Sequence, residues 1–237
     1  MKKLALTTVC AFAMTGAAFA QGLVNWGSIS FGAMTAQTNS TQNSPFFGGA
    51  ANVGGAIGAA GGSASVGTGF YYELLYTTYS GSQATIPSLS SLVSWSDAGL
   101  SATNQNTAGR LTPINPNSSA TVPWAAGVTD SIVLVGWSAN LGTSWATVAN
   151  ELTNKTFAAV LAGQNGFFGV STTGYITGST APAPGATLFN NSATANGLPI
   201  SGLNTQLYAL PVPEPATMAL MGLGGLSLLL FRRSRKS

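Results

Sequence analysis

Histidine is absent from this 237-residue chain, and cysteine occurs once, as Cys10. Charged residues make up 5% of the sequence, against roughly 25% in an ordinary soluble protein. Without an imidazole there can be no Ser-His-Asp triad and no Cys-His pair, and a lone thiol builds neither a thiolate zinc site nor a disulfide framework. No Asp-rich calcium loop is present either. Gly67-Thr68-Gly69 runs into a strand pattern rather than a helix, so it is no dinucleotide-binding turn. The expectation is a chain with no catalytic residue, no metal site and no cofactor.

The formal charge of +3 gathers at the two ends. Lys2 and Lys3 stand at the start; Arg232, Arg233, Arg235 and Lys236 stand at the finish. Between them lie two bases, Arg110 and Lys155, against four acids before the tail, Glu73, Asp97, Asp130 and Glu151, a net of −2. A nucleic-acid partner needs a basic stripe to neutralise phosphates. This region has none, which excludes that class.

Residues 1–20 follow the order of a secretory signal peptide: two lysines, an apolar run from Leu4 to Met14, then small residues ending Ala18-Phe19-Ala20. Small side chains at Ala18 and Ala20 suit signal peptidase, with cleavage before Gln21. Val9 precedes Cys10, where lipid attachment would need Gly or Ala. The mature chain is therefore expected to lack cysteine altogether.

At the other end, Pro213-Glu214-Pro215 precedes the uncharged apolar stretch Ala216–Phe231, and four bases follow at once. As a helix, 216–231 would measure about 24 Å. That is shorter than a hydrocarbon core of roughly 30 Å, so it suits transient rather than permanent anchoring. Arg232, Arg233, Arg235 and Lys236 would hold the C-terminus in the cytoplasm. The two prolines fix φ, delay the start of the helix and present Glu214 on extended backbone.

This arrangement resembles the PEP-CTERM sorting signal, which covers 212–237: the motif at 213–215, a transmembrane helix at 216–231 and a basic tail at 232–236. A tail of this kind also forms the C-terminal domain of some ice-binding proteins. The resemblance implies an inner-membrane-anchored precursor processed by an exosortase, an integral membrane protease. Release to the cell surface or extracellular matrix would follow, in bacteria that often make exopolysaccharide.

The resemblance leaves residues 21–211 to be read on their own. They are rich in Gly, Ser, Thr, Asn and Ala, and 48–69 holds nine glycines and no charge, a pattern of loops and bent strand edges. Phe70–Tyr79 reads as a strand with Phe70, Tyr72, Leu74 and Tyr76 on one face. Ser131–Trp137 is apolar on both faces, as a central strand is. Leu23–Phe31 and Phe167–Ile176 are further strand candidates. One helix is expected after Ser144 as N-cap, with Trp145, Val148, Ala149 and Leu152 on one side. The fold class is all-β, a sandwich or jelly-roll-like exported domain with one short helix.

Two carboxylates at the right spacing suffice for a polysaccharide hydrolase. Here, however, Glu73 alternates with Tyr71 and Leu75, Glu151 falls on the helix surface, and Asp97 and Asp130 sit in polar turns. All four are expected to be solvated or turn-capping. Trp26, Trp95, Trp124, Trp137, Trp145 and the tyrosines of 71–79 could stack on sugars, but aromatics in a charge-poor domain are expected mainly in its core. A flat ice-binding face needs regularly spaced threonines, and only Thr77-Thr78 and Thr172-Thr173 come near.

The expected function is thus a non-enzymatic, exported structural or adhesive protein of the surface or exopolysaccharide matrix. Its partners are signal peptidase, exosortase and, briefly, the membrane. A carbohydrate-binding or ice-binding module is the alternative, and a carboxylate-based hydrolase a remoter one.

Overall fold

The computed structural model describes residues 21–32, 34–39, 58–59, 69–81, 84–104, 110–161, 166–201 and 205–210. In chain order the strands are β1 Gln21–Trp26, β2 Ala36–Asn39, β3 Gly58–Ala59, β4 Phe70–Thr78, β5 Ser96–Asn104, β6 Leu111–Pro113 and β7 Asn117–Ala125. They continue with β8 Thr129–Ser138, β9 Phe167–Val170, β10 Gly174–Thr177, β11 Ala186–Thr187, β12 Gly197–Leu198 and β13 Thr205–Ala209. The helices are α1 Ser28–Phe31, α2 Leu89–Leu92, α3 Trp145–Asn154 and α4 Phe157–Leu161.

The alternation of 70–79 sets the frame. Strand β4 pairs antiparallel with β8 over nine residues, from Phe70–Ser138 to Thr78–Asp130. The large sheet extends from this pair in the order β3-β2-β13-β9-β8-β4-β5-β6, with β10 and β12 attached beside β8. A second sheet, β11-β1-β7, is small. Two pairings are parallel, β2 with β13 and β1 with β11.

Period-two alternation sends the two faces of β4 and β8 into different cores. Tyr72, Leu74, Ile132 and Leu134 join Val24, Trp26, Val122 and Trp124 of the small sheet in one cluster, which lies between the two sheets of this all-β fold. Trp26 donates its Nε1–H across the sheets to the Ser101 carbonyl at 3.1 Å, and Tyr76 packs on Trp124 at 5.0 Å between ring centroids. Leu75, Val133, Val135 and Trp137 point the other way, into a second cluster roofed by Leu92 of α2, Trp145, Val148 and Leu152 of α3, and Phe157 and Leu161 of α4. Fully burying an aliphatic or aromatic side chain contributes about 1.5–3 kcal/mol, so both faces of β8 add to stability.

Helix α3 begins as expected. Ser144 is extended and its Oγ accepts from the Thr147 N–H. It ends at Lys155, held in the left-handed region at φ 56°. The protein departs from the single expected helix: among the described residues three more short α-helices form, and Ala139–Leu141 makes a 3-10 turn. Gly27 interrupts the predicted strand at 23–31, and Ser28–Phe31 turns helical. The predicted strand at 167–176 is two strands, separated where Ser171 inserts its side chain into the ladder of β8. Of the glycine-rich stretch, Gly58–Ala59 forms β3 and Gly69 is a bend; the rest lies outside the described residues.

No helix among the described residues is long and apolar enough to cross a membrane. The predicted signal peptide at 1–20, with Ala18 and Ala20, lies outside the described residues, as do the motif at 213–215, the helix at 216–231 and the basic tail. Gln21 opens β1.

Candidate functional site

The apolar pairing of β4 with β8 stops at Leu75–Val133, and the next pair on that face is Thr77–Ser131. A cleft of about 460 Å³ opens there, with Thr77, Thr78, Ser80 and Ser131 among its lining. The core ends and the cleft begins within one step of the ladder.

One wall comes from the break between β9 and β10. Ser171 donates its N–H to the Leu134 carbonyl at 2.9 Å and accepts the Leu134 N–H on its side-chain Oγ, also at 2.9 Å, so that its hydroxyl stands in for the backbone carbonyl on β8. Thr173, also in the lining, then binds the segment after Gly81. Its N–H and its Oγ1 both donate to the Thr85 carbonyl at 2.8 Å, and its own carbonyl accepts from Ala84 at 2.9 Å. Thr85 and Pro87 complete this side.

The other wall is α2 and the turn that follows. Ser88 caps the helix, accepting the Ser91 N–H on its Oγ at 3.3 Å, and Ser94 Oγ donates to the Ser91 carbonyl at 2.7 Å. Trp95 is half-buried, packed against the helix-side core on one part of its ring. Its Nε1–H reaches Ser91 Oγ at 3.4 Å. Ser88, Ser91, Ser94 and Trp95 all line the cleft.

Among the described residues the lining carries no charged side chain: it is serine, threonine, one proline and one tryptophan. Ser131 is 2% exposed, and its Oγ has no hydrogen-bond partner. An orphaned buried hydroxyl costs about 1–3 kcal/mol. Sequence reading missed this site because the lining is drawn from four separate stretches. The local signal was the run Ser88, Ser90, Ser91, Ser94 ending in Trp95.

The other four tryptophans are core. Trp26 and Trp137 are fully buried, Trp124 and Trp145 nearly so. Trp137 spends its Nε1–H on the Gly142 carbonyl at 2.8 Å, and Trp145 stacks on Phe168 at 6.1 Å. Of the tryptophans only Trp95 faces the cleft. Thr77 and Thr173 line this concave surface, and Thr172 is half-buried.

The expectation of solvated or turn-capping carboxylates needs correction at Glu73 and Asp130, and in part at Glu151, whose Oε2 is buried without a partner. Glu73 is 7% exposed, because its strand face is covered by α3, and its Oε2 accepts the Trp145 N–H at 3.3 Å. Burial, reinforced by the negative charge of Asp97, raises the Glu73 pKa to about 7, with the Trp145 hydrogen bond opposing. Asp130 stands inside β8, not in a turn, and is also 7% exposed; burial pushes its carboxyl up. Asp97 lies in β5 and remains exposed, bonding its own backbone as expected, with Oδ1 accepting from the Gly99 N–H at 2.7 Å. Glu151 is on α3, half-buried and raised by burial. None of the four acids lines the cleft.

Residues 211–236 match the family model of the PEP-CTERM protein-sorting motif. The chain carries a PEP-CTERM tail. That match covers Pro213, Glu214, Pro215, the apolar stretch and the bases at 232, 233, 235 and 236. The PEP-CTERM signal implies export, sorting to the surface and processing by an exosortase. It leaves the β domain unassigned, and no curated protein and no solved structure matches the chain.

Proposed function

We propose that this is a non-enzymatic structural or adhesive component of the cell surface or extracellular matrix. It is inserted briefly through 216–231 and freed by an exosortase that cuts near Pro213-Glu214-Pro215. The PEP-CTERM match at 211–236 carries the reading. The order lysines, apolar run, Ala18-Phe19-Ala20 supports an exported start. Bases confined to the tail support a centre-outside, tail-inside precursor.

The charge-poor β domain suits a packing role. Its two cores hold most of the aromatic side chains, and none of its four carboxylates is among the described lining of the cleft.

Mass spectrometry of the released protein tests the sorting step. The expected form starts at Gln21 and lacks Arg232–Lys236. A released protein that keeps the basic tail contradicts processing. Replacing Pro213, Glu214 and Pro215 together with alanine should hold the precursor in the inner membrane, and undiminished release would refute the motif's role.

A further inference from the structure

We propose that the Trp95 cleft is a binding site for a neutral saccharide, taken as one or two sugar rings rather than along a flat strip. The inference goes beyond the surface-component reading and does not depend on it, since an anchored and a released domain present the same cleft.

Three observations converge. The first is size: about 460 Å³ falls within the range of small-ligand pockets, roughly 300–1,000 Å³. The second is chemistry. A wall of serine and threonine hydroxyls offers both donors and acceptors, and among the described residues no lysine, arginine, aspartate or glutamate lines it to select a charged group. A phosphate, a carboxylate or an ammonium would lose its hydration shell there with no counter-charge in return. A polyol, whose hydroxyls both give and accept, exchanges water for matched partners at little cost. The half-buried Trp95 adds the one apolar surface, on which the C–H face of a sugar ring can rest.

The third observation is Ser131. It lies at the floor, paired across from Thr77, and its Oγ is buried without a partner. Most buried polar atoms in folded proteins are satisfied. Of the six orphaned side-chain atoms among the described residues, Ser131 Oγ alone belongs to the cleft's lining, and a ligand hydroxyl there gives it a partner once its side chain turns toward the cleft. Thr173 Oγ1 spends its one hydrogen on the Thr85 carbonyl and so does not donate to Ser131. The Thr173–Thr85 bonds and the Ser88 cap hold both walls in place before any ligand arrives. That fixed geometry lowers the ordering cost of binding.

The experiment uses the full chain in mild detergent, titrated with D-glucose, D-galactose, D-mannose, N-acetyl-D-glucosamine and cellobiose. Glucuronic acid and glucosamine serve as charged controls, and binding is read by calorimetry and tryptophan fluorescence. At least one neutral sugar should bind with a Kd at or below ~10 mM, and its charged counterparts should bind about tenfold more weakly or not at all. Trp95→Ala should abolish binding and Trp95→Phe should retain much of it. Ser131→Ala, which removes only the hydroxyl and with it the cost of an orphaned group, should weaken binding about tenfold at an equal or higher Tm. That second variant decides the matter if Trp95→Ala fails to fold. Absence of binding by every neutral sugar overturns the proposal, as does binding that survives both Trp95→Ala and Ser131→Ala, or a preference for the charged sugars.

Discussion

The backbone N–H of Trp145 donates to Oε2 of Glu73, 72 residues earlier in the chain, at 3.3 Å. This one bond joins the start of helix α3 to the middle of the large sheet, and it places a carboxyl beneath Trp145 with Asp97 as its nearest charge influence. Burial of that carboxyl, which the hydrogen bond only partly offsets, makes the stability of the domain depend on pH.

Glu73 has a folded pKa of about 7, above its ordinary 4.5. The folded chain therefore holds this proton more tightly than the unfolded chain, and the stabilisation is complete below pH 4.5 and lost as pH rises through 7. A shift of that size corresponds to at most about 3 kcal/mol. Burial is the larger cause and Asp97 the smaller, so relaxation and water access around the carboxyl, together with screening of the exposed Asp97, bring the expected loss to roughly 1–2 kcal/mol. Calorimetry of the full chain should show Tm falling by about 2–8 °C between pH 5 and pH 8. Glu73→Gln keeps an acceptor for the Trp145 N–H and should flatten most of that slope, leaving the smaller part due to Asp130 and Glu151. A Tm that rises over this interval would show that Glu73 is charged in the folded state.

Gly136 sits in the centre of β8, opposite Tyr72. A Cβ at position 136 would stand 2.6 Å from Tyr72 Cδ1 and 3.0 Å from Leu207 Cδ2. The tyrosine ring thus occupies the space a side chain would take, and it is itself fully buried with no room to swing. Gly136→Ala should cost about 1–3 kcal/mol by overpacking, read as a lower urea midpoint. A variant as stable as the parent would mean that Tyr72 can move out of the sandwich core.

Lys155 closes α3 in the left-handed region, where an L side chain is strained by about 1–2 kcal/mol. Its side chain is exposed, and the turn is held by backbone, with the N–H groups of Lys155 and Thr156 both directed at the Glu151 carbonyl. Glycine is the usual residue at such a terminus. Lys155→Gly should therefore stabilise the protein by about 0.5–1 kcal/mol after the added freedom of the unfolded chain is counted. A decrease in Tm would imply a role for the Lys155 side chain beyond its backbone.

How far the sequence reached can be seen along β4. The alternation of Phe70, Tyr72, Leu74 and Tyr76 correctly gave one face of a strand, and the unbroken apolar run at 131–137 correctly gave a centre buried on both sides. Helix α3 was legible from its cap and its spacing. Glu73 was misread because local alternation reveals which residues share a face, not what later covers it. The roof over Tyr71, Glu73 and Leu75 arrives some seventy residues on, with Trp145. The cleft was hidden for the same reason. Thr77, Trp95, Ser131 and Thr173 are each unremarkable alone, and only strand register and the Ser171 break bring them to one place. The PEP-CTERM tail was readable because its chemistry is linear: kink, oily stretch and cations succeed one another without any help from tertiary contacts.

The last strand of the large sheet, β13, ends at Ala209, and Leu210 after it is still packed away, its N–H fastened to the Gly166 carbonyl at 2.8 Å. Only Pro211 and Val212 intervene before Pro213. Three residues extend to about 11 Å at most. An enzyme that severs the chain at this motif must therefore work almost flush with a finished sheet, and the body it liberates leaves with scarcely any stub.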